Sequence, residues 1–202
     1  MPLKAIALNC TLKSDPSESS STDAMIAVLQ DAFKEKEVEI TRIVRVAALN
    51  IKPGVSSDEG EGDDWPALRK EILDHDILIF GGPIWMGQIG SIAKRVLERF
   101  DAFFGETDDR GRMPSYGKVA VAAIVGNEDG AHYSAAQLFQ ALNDVGFTIP
   151  AVAACYWVGE AMGKVDFKDL KQTPEKVTET AQMVAANCAH LAGLLQASPY
   201  PG

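Results

Sequence analysis

The 202-residue sequence has no long apolar run, few cysteines and a shortage of positive charge. No apolar segment approaches the roughly 20 residues of a membrane-spanning helix, and the residues that follow Met1 do not begin the apolar core of a signal peptide. The three cysteines, Cys10, Cys155 and Cys188, are widely spaced and odd in number, which indicates neither a disulfide framework nor a metal site. We therefore expect a soluble, cytoplasmic protein without membrane insertion or bound metal.

The shortage of basic residues argues against a nucleic-acid partner. The chain has 19 Lys and Arg against 28 Asp and Glu, a net charge of −9 and a pI near 4.8, so phosphate backbones would be repelled. Its apolar content of 47% and charged content of 23% are ordinary for a globular protein. No internal repeat or composition boundary divides the sequence, and its length allows a substantial core. We expect one domain over residues 1–202.

Apolar segments of strand length alternate with segments of helical period along the chain. The pattern predicts strands over 3–8, 38–44, 76–80, 119–125 and 147–158. It predicts helices over 22–33, 64–72, 89–104, 135–145 and 174–195, with Gly146 directly after the end of the fourth helix. The stretches 50–64, 105–117 and 159–172 are polar or irregular, and the first of them is expected to be a flexible loop.

This alternation predicts an α/β fold with a parallel sheet covered by helices on both faces. The simplest strand order is 2-1-3-4-5, which places a switch point between strands one and three. The first loop has no G-x-G-x-x-G motif, so a dinucleotide-binding fold of the Rossmann type is disfavoured. Ligands of such sheets bind beyond the carboxyl ends of the strands, where the loops 9–22, 82–90 and 126–133 should meet.

The first of these loops places many hydroxyl groups in front of a predicted helix. Beside Lys13 it contains Thr11, Ser14, Ser17, Ser19, Ser20, Ser21 and Thr22. Free backbone N–H groups and the helix dipole favour an anion at such a position. A solvated serine-rich loop with an ordinary helix cap explains the same composition, and both interpretations stay open.

The second loop combines glycines with one tryptophan. Gly81, Gly82 and Pro83 are expected to end the preceding strand. Trp85 then lies in a loop, where it either contacts a flat ligand or packs against the end of the strand. The third loop offers no aromatic residue before Tyr133, so the pattern favours a shallow shelf with a single aromatic wall, and Glu128 is expected to be a solvated turn residue.

Two segments resemble a known family. The pattern Asn-Cys-Thr-Leu-Lys at 9–13 and GGPIWMGQIGSIAKRVLERFD at 81–101 are similar to the NADPH-dependent FMN reductase family of flavodoxin-like proteins, to which quinone reductases are related. The residues that match the frame of its second loop are Gly82, Pro83, Trp85, Gly87 and Lys94. The resemblance runs from residue 3 to about residue 150. It implies a flavodoxin-like three-layer sandwich, bound FMN, NAD(P)H as co-substrate, and a homodimer or homotetramer.

The resemblance also implies which residues bind the FMN. The phosphate would contact the first loop through Thr11, Lys13, Ser20, Ser21 and Thr22. The ring and ribityl chain would contact the second and third loops through Pro83, Ile84, Trp85, Met86, Gly87, Gly126 and Asn127, with Gly130 allowing the turn. No catalytic side chain is implied, because the flavin carries the chemistry. Lys13 stands where the family has an arginine, so it offers a single ammonium charge in place of a guanidinium group that can bind a phosphate through two nitrogens.

The resulting hypothesis is an oxidoreductase that passes hydride from NAD(P)H through the flavin to a quinone, a free flavin or another small acceptor. One alternative is a flavodoxin-type one-electron carrier, against which the absence of T/S-x-T-G-x-T in the first loop counts. A second alternative is a flavodoxin-like domain that has lost its cofactor and acts as an interaction module. Phe100, Phe103 and Phe104 offer more aromatic surface than one sheet face needs, which favours a homo-oligomer.

Overall fold

The computed structural model describes residues 2–202 and is built around a parallel sheet. The strands are β1 (Lys4–Asn9), β2 (Glu39–Arg45), β3 (Ile77–Trp85), β4 (Gln88–Ile89), β5 (Val119–Gly126) and β6 (Ala154–Val158). Their order is β2-β1-β3-β5-β6, with all four neighbouring pairs parallel, and the two-residue β4 pairs antiparallel with the end of β3. The predicted α/β fold and order are confirmed, and β4 is the one addition.

Five helices cover the two faces of the sheet. They are α1 (Ser21–Lys34), α2 (Trp65–Leu73), α3 (Ser91–Phe100), α4 (Ala131–Asp144) and α5 (Glu175–Ala197). Short 3-10 helices lie between these elements, at Val46–Ala48, Asp101–Gly105 and Phe167–Asp169. Within residues 2–202, no helix combines the length and the apolar character needed to cross a membrane.

Alternation along the strands divides the buried side chains into two cores. Ile6 and Leu8 of β1 face a core completed by α2, α3 and α4, whereas Ala5 and Ala7 face a core completed by α1 and α5. This is the behaviour of strands whose successive side chains point to opposite faces, both of which are covered. The result is the three-layer sandwich that the sequence predicts.

The aromatic end of α3 fills the first of these cores. Phe100 packs edge-to-face on Trp65 and Phe103, with ring centroids 5.1 and 5.2 Å apart, and both phenylalanines are buried. Only Phe104 is exposed, at 55%. Phe100 and Phe103, two of the three residues on which the predicted homo-oligomer rested, are therefore part of the core. The homodimer or homotetramer stays a prediction.

Strand β3 is longer than the sequence pattern predicts. It continues through Gly81 and Gly82, and Pro83 still lies opposite Val125 in the ladder with β5. A Cβ on Gly81 would lie 3.0 Å from the Leu8 carbonyl oxygen and 3.1 Å from the Ile26 side chain. Glycine here permits close packing of α1 on the sheet and does not end the strand. A strand, and not a loop, therefore positions the residues up to Trp85.

Two other predicted elements are shorter in the structure. The fifth predicted strand, 147–158, forms β6 only from Ala154, because Pro150 has no N–H to donate and Val152 takes a left-handed conformation with φ 54°. Before this interruption, Thr148 makes a single bridge to Val119. The third helix begins after Gly90 and changes to a 3-10 helix at Asp101.

The segment 50–64, predicted to be a flexible loop, is instead fixed around a buried ion pair. The side chains of Arg99 and Asp63 are both 0% exposed and lie 2.8 Å apart. Arg99 also donates to the carbonyls of Lys52 and Ser56, at 3.0 and 2.9 Å. Burial by itself raises the pKa of Asp63, but the hydrogen bonds from Arg99 and three backbone N–H groups outweigh it and hold that pKa well below its usual value.

Candidate functional site

A cavity of about 520 Å³ opens at the carboxyl edge of the sheet, a volume in the usual range of about 300–1,000 Å³ for ligand pockets. All predicted site residues except Gly87 and Gly130 line it: Thr11, Lys13, Ser20, Ser21, Thr22, Pro83, Ile84, Trp85, Met86, Gly126 and Asn127. A second cavity, of about 560 Å³, lies between residues 106–117 and Tyr200, beside the amino end of β5. Open α/β sheets bind ligands at the carboxyl edge, so the first cavity is the candidate site.

One end of this cavity is formed by the start of α1 and carries hydrogen-bond donors. Thr11 and Thr22 are 6% and 1% exposed, and within residues 2–202 neither hydroxyl has a hydrogen-bond partner. The backbone N–H groups of Ser21 and Thr22 precede the first helical bond, Ala24 N to Ser20 O. Ser20 itself is the N-cap, and its hydroxyl forms a capping box with Asp23.

The hydroxyl-rich loop before α1 is held in place by Arg45, at the end of β2. One guanidinium nitrogen donates to the carbonyls of Lys13, Asp15 and Glu18, each at 3.2 Å, and the other donates to Asp23 at 2.6 Å. The Arg45 side chain is only 8% exposed. Sequence reasoning missed this residue, and its position directly after the second predicted strand was the only available signal.

Lys13 lies at the rim of the donor end. Its Nζ is 2.7 Å from Glu18 Oε1 and donates to the Ser19 carbonyl at 2.9 Å. Both carboxylate and lysine are partly exposed, so their pairing is of the kind that contributes little free energy. The ammonium group can therefore exchange Glu18 for a bound anion at small cost.

The opposite end of the cavity is apolar and is formed by Trp85, the last residue of β3, and by Met86, which follows it. Trp85 is 51% exposed and Met86 is 87% exposed. Met86 has φ 54°, a left-handed conformation that costs free energy in a residue with a side chain and is found preferentially at functional sites. Large apolar side chains held at the surface in this way offer a contact for a flat apolar group.

Glu128 holds the second loop against the third and is not the solvated turn residue that the sequence predicted. Its two carboxylate oxygens accept from the backbone N–H groups of Met86 and Gly87, at 3.1 and 2.9 Å. A Cβ on Gly130, which has φ +126°, would lie 2.5 Å from the Gly87 carbonyl oxygen. Gly87 and Gly130 thus allow the two loops to touch. Because these two glycines face each other between the loops, they do not line the cavity.

A third wall of the cavity, which we call the strap, consists of residues 157–168. It is tied to the third loop by one backbone and one side-chain hydrogen bond: Met162 N donates to Asn127 O at 3.1 Å, and Asn127 Nδ2 donates to Asp166 Oδ1 at 2.9 Å. The strap residues that line the cavity are Trp157, Met162, Asp166, Phe167 and Lys168. The predicted shelf with one aromatic wall is therefore wrong, because Trp157 adds a second tryptophan to the site.

Asn127 also presents an unpaired acceptor. Its Oδ1 is buried and lacks a hydrogen-bond partner in the part of the chain that the structure describes, although the residue lines the cavity. A buried polar atom without a partner costs free energy, so such atoms occur mainly where a ligand or water satisfies them. The Oδ1 atom itself lies buried against Gly159, so the cavity combines donors at one end with an apolar surface at the other.

The cysteines take no part in this site. Cys10 is fully buried beside it, and burial raises the pKa of its thiol far above the usual value, which makes it a packed residue and not a nucleophile. Cys155 and Cys188 are likewise buried and unpaired. Among residues 2–202, no group of three His, Cys, Asp or Glu side chains is placed to hold a metal ion.

The family model of NADPH-dependent FMN reductase matches residues 3–163. The chain belongs to this family. The match extends from β1 into the strap and includes all three loops that form the cavity. It ends before Phe167 and Lys168, so these two cavity residues lie outside the matched region.

Several proteins are similar over nearly the whole chain. The 8-demethyl-8-aminoriboflavin-5′-phosphate synthase of Streptomyces davaonensis is 33% identical over 212 residues, which is 99% of this chain and 81% of that protein. A crystal structure of RosB with the bound intermediate 8-demethyl-8-formylriboflavin-5′-phosphate has 31% identity and a TM-score of 0.89, covering 99% of this chain and 82% of that one.

Two further comparisons are more limited. The divalent metal cation transporter MntH of Mycobacterium bovis is 33% identical over 201 residues, but the chain spans only 29% of that protein's length. A flavodoxin from the domain Archaea has a TM-score of 0.57 and 11% identity, covering 95% of this chain and 99% of that one. The latter likeness shows a flavodoxin-like fold and nothing further.

Proposed function

We propose that the protein binds FMN in the cavity at the carboxyl edge of the sheet and acts as an NAD(P)H-dependent oxidoreductase. One observation carries the proposal: the cavity has a donor-rich end at the start of α1 and an apolar, aromatic end at Trp85 and Trp157. FMN has the same polarity, with a phosphate at one end and a flat ring at the other. Membership in the FMN reductase family supports the same ligand.

The donor end suits the phosphate. Phosphate oxygens accept from hydroxyl and N–H groups, which Thr11, Ser21 and Thr22 supply, and the helix dipole adds to the attraction. Lys13 contributes a positive charge from the rim. The apolar end suits the ring, since Trp85, Trp157 and Met86 offer flat and polarisable surfaces.

In this proposal the protein binds and orients the reactants. The flavin supplies the capacity to accept and release hydride. The donor end fixes the phosphate, the loops fix the plane of the ring, and the exposed side of Trp85 leaves room for a flat nicotinamide and then for a small acceptor such as a quinone or free flavin. His132 does not line the cavity, and its Nε2 is hydrogen-bonded to the Tyr156 hydroxyl at 3.0 Å. We therefore assign no side chain as a general acid or base.

The phosphate contacts can be tested by comparing FMN with riboflavin, which lacks the phosphate. Lys13→Ala and Thr22→Val should each weaken FMN binding by about 1–3 kcal/mol, as loss of a charged hydrogen bond does. Riboflavin affinity should hardly change. Lys34→Ala, at the far end of α1, is the matched control and should leave both affinities unaltered. Equal losses for the two flavins would assign Lys13 and Thr22 to folding and not to phosphate binding.

The reaction itself can be tested on the purified protein. We expect the protein to release FMN on denaturation, and anaerobic NADH or NADPH to bleach the bound flavin directly to its two-electron reduced form. Stepwise photoreduction should give no stable one-electron form. A flavin that neither nicotinamide reduces, together with a long-lived radical absorbance, would support the one-electron carrier instead. Absence of flavin binding would support the domain without a cofactor.

A second candidate function is that the flavin phosphate is the substrate and not a reusable cofactor. The likeness to a synthase that by its name makes a modified riboflavin-5′-phosphate favours it, because that likeness covers 99% of the chain. Mass spectrometry of the flavin recovered after incubation with NAD(P)H and oxygen separates the two functions. An unchanged mass after many reduction cycles supports the reductase, whereas a changed ring substituent supports flavin modification.

A further inference from the structure

The strap connects the two ends of the candidate FMN site. At the ring end it is bonded to Asn127, and at the donor end Lys168 N donates to the Ser21 hydroxyl at 3.4 Å. Phe167, between these contacts, is buried and packs on Trp157 with ring centroids 5.5 Å apart. The two hydrogen bonds fix the strap to the third loop and to α1, the Phe167–Trp157 contact packs the strap on itself, and together they bring Lys168 to the wall of the cavity beside the first turn of α1.

The ammonium group of Lys168 is available to a ligand. Within residues 2–202 its Nζ pairs only with the neighbouring Asp169, at 2.9 and 3.0 Å, and that carboxylate is exposed. Pairs of this kind contribute little free energy because water solvates both charges well. Lys13 is paired in a similar way with Glu18, a carboxylate that also attracts the Lys168 ammonium group. Two lysines with weakly held partners thus flank one helix N-terminus.

The charge of the site explains why a second lysine is needed. A phosphate monoester carries a charge of about −1.5 to −2 at neutral pH. The cavity also contains the carboxylates of Glu128 and Asp166, and the whole chain has a net charge of −9, all of which oppose an anion. A second cation beside the phosphate would add to the attraction from Lys13 and the helix dipole.

We propose that Lys168 is a phosphate-binding residue which, together with Lys13, makes the site specific for 5′-phosphorylated flavins over flavins without the phosphate. This inference rests on the proposed FMN site and adds a residue beyond the region that the family model matches. The ligand class is a phosphate monoester attached to a flat ring system. Lys168 reaches it from the strap, Lys13 from the first loop.

The test measures dissociation constants for FMN and riboflavin by quenching of flavin fluorescence. Lys168→Ala should weaken FMN binding roughly 10-fold to 100-fold, as expected for one charged hydrogen bond, and leave riboflavin binding nearly unchanged. Lys164→Ala is the matched control, since Lys164 is an exposed lysine of the strap that does not line the cavity, and it should alter neither constant. Added salt should weaken FMN binding more in the wild type than in Lys168→Ala.

The outcomes that overturn the inference differ from those that overturn the FMN site. Unchanged FMN binding by Lys168→Ala, or equal weakening of FMN and riboflavin, rejects Lys168 as a phosphate ligand while the FMN site stands. A wild-type protein that binds neither flavin rejects the FMN site, and the role of Lys168 with it. Thermal unfolding of each variant shows whether a loss of binding reflects a loss of folding.

Discussion

Replacing Arg99 with methionine should destabilise the protein by about 3–5 kcal/mol, the cost of removing one partner from a buried ion pair. The methionine fills most of the volume of the arginine stem but leaves the Asp63 carboxylate, which is 0% exposed, without its counter-charge. It also removes the donors to the carbonyls of Lys52 and Ser56. Urea unfolding followed by circular dichroism measures the change in the free energy of unfolding.

Arg95→Met is the matched control, because it lies on the same helix and makes one hydrogen bond, to the Ile51 carbonyl at 3.3 Å, from an exposed side chain. We expect it to change the stability by less than about 1 kcal/mol, as surface substitutions do. Equal effects of the two substitutions would contradict the role assigned to the buried pair.

The effect of Arg99→Met should depend on pH. In the wild type the pKa of Asp63 lies below its usual value, so its contribution to stability is complete above the unfolded-state pKa of about 3.9 and is lost as the pH falls towards the folded-state value. In the variant the carboxylate keeps its backbone donors but loses Arg99, so we expect its pKa to rise relative to the wild type and its protonation at acidic pH to relieve the penalty. The difference in stability between the two proteins should therefore shrink as the pH falls below neutrality.

Replacing Arg45 with methionine should weaken FMN binding by about 2–4 kcal/mol, because several hydrogen bonds of a charged donor are lost together. Arg45 does not line the cavity and acts as a positioning residue, since its guanidinium holds three carbonyls of the first loop and the Asp23 carboxylate. Without it the loop that carries Thr11 and Lys13 must be ordered by the ligand itself, and this ordering opposes binding.

Arg42→Met provides the control for this prediction. Arg42 lies on the same strand, is exposed and pairs with Glu71 at 3.2 Å. We expect it to leave the FMN affinity and the protease resistance of residues 11–20 unchanged, whereas Arg45→Met should lower both. A first loop that stays resistant to protease in Arg45→Met, with normal FMN affinity, would show that the loop is ordered by other contacts.

The parts of the fold that the sequence predicted depend on local patterns. Apolar periodicity located the five parallel strands and the five helices, and Gly146 was predicted to follow the fourth helix, where it has φ +99°. The donor end of the cavity was predictable for the same reason, because its hydroxyl groups are contiguous in front of α1. Local patterns suffice where neighbouring residues act together.

The remaining parts depend on contacts between distant residues. Lys168 lies 147 positions from Ser21, and Arg99 lies 47 positions from the Lys52 carbonyl that it contacts. Bonds from a side chain to a distant backbone carbonyl require no particular residue at the acceptor, so they leave no pattern in the sequence. The prediction that Gly81, Gly82 and Pro83 end the third strand was wrong. Pairing with β5, which is distant in the sequence, decides where β3 stops.

The carboxylate of Glu128 fixes the direction in which the Met86–Gly87 peptide plane faces. Rotation of that plane would break the 2.9 Å bond from Gly87 N–H and leave a half-buried charge without this donor. One way in which a loop beside a bound flavin favours its one-electron form is to turn a peptide group towards the ring nitrogen that becomes protonated. If FMN occupies the proposed position, we expect the Glu128 bond to restrict this rotation, so that oxidised and fully reduced flavin meet the same backbone, an arrangement that favours the proposed transfer of electrons in pairs.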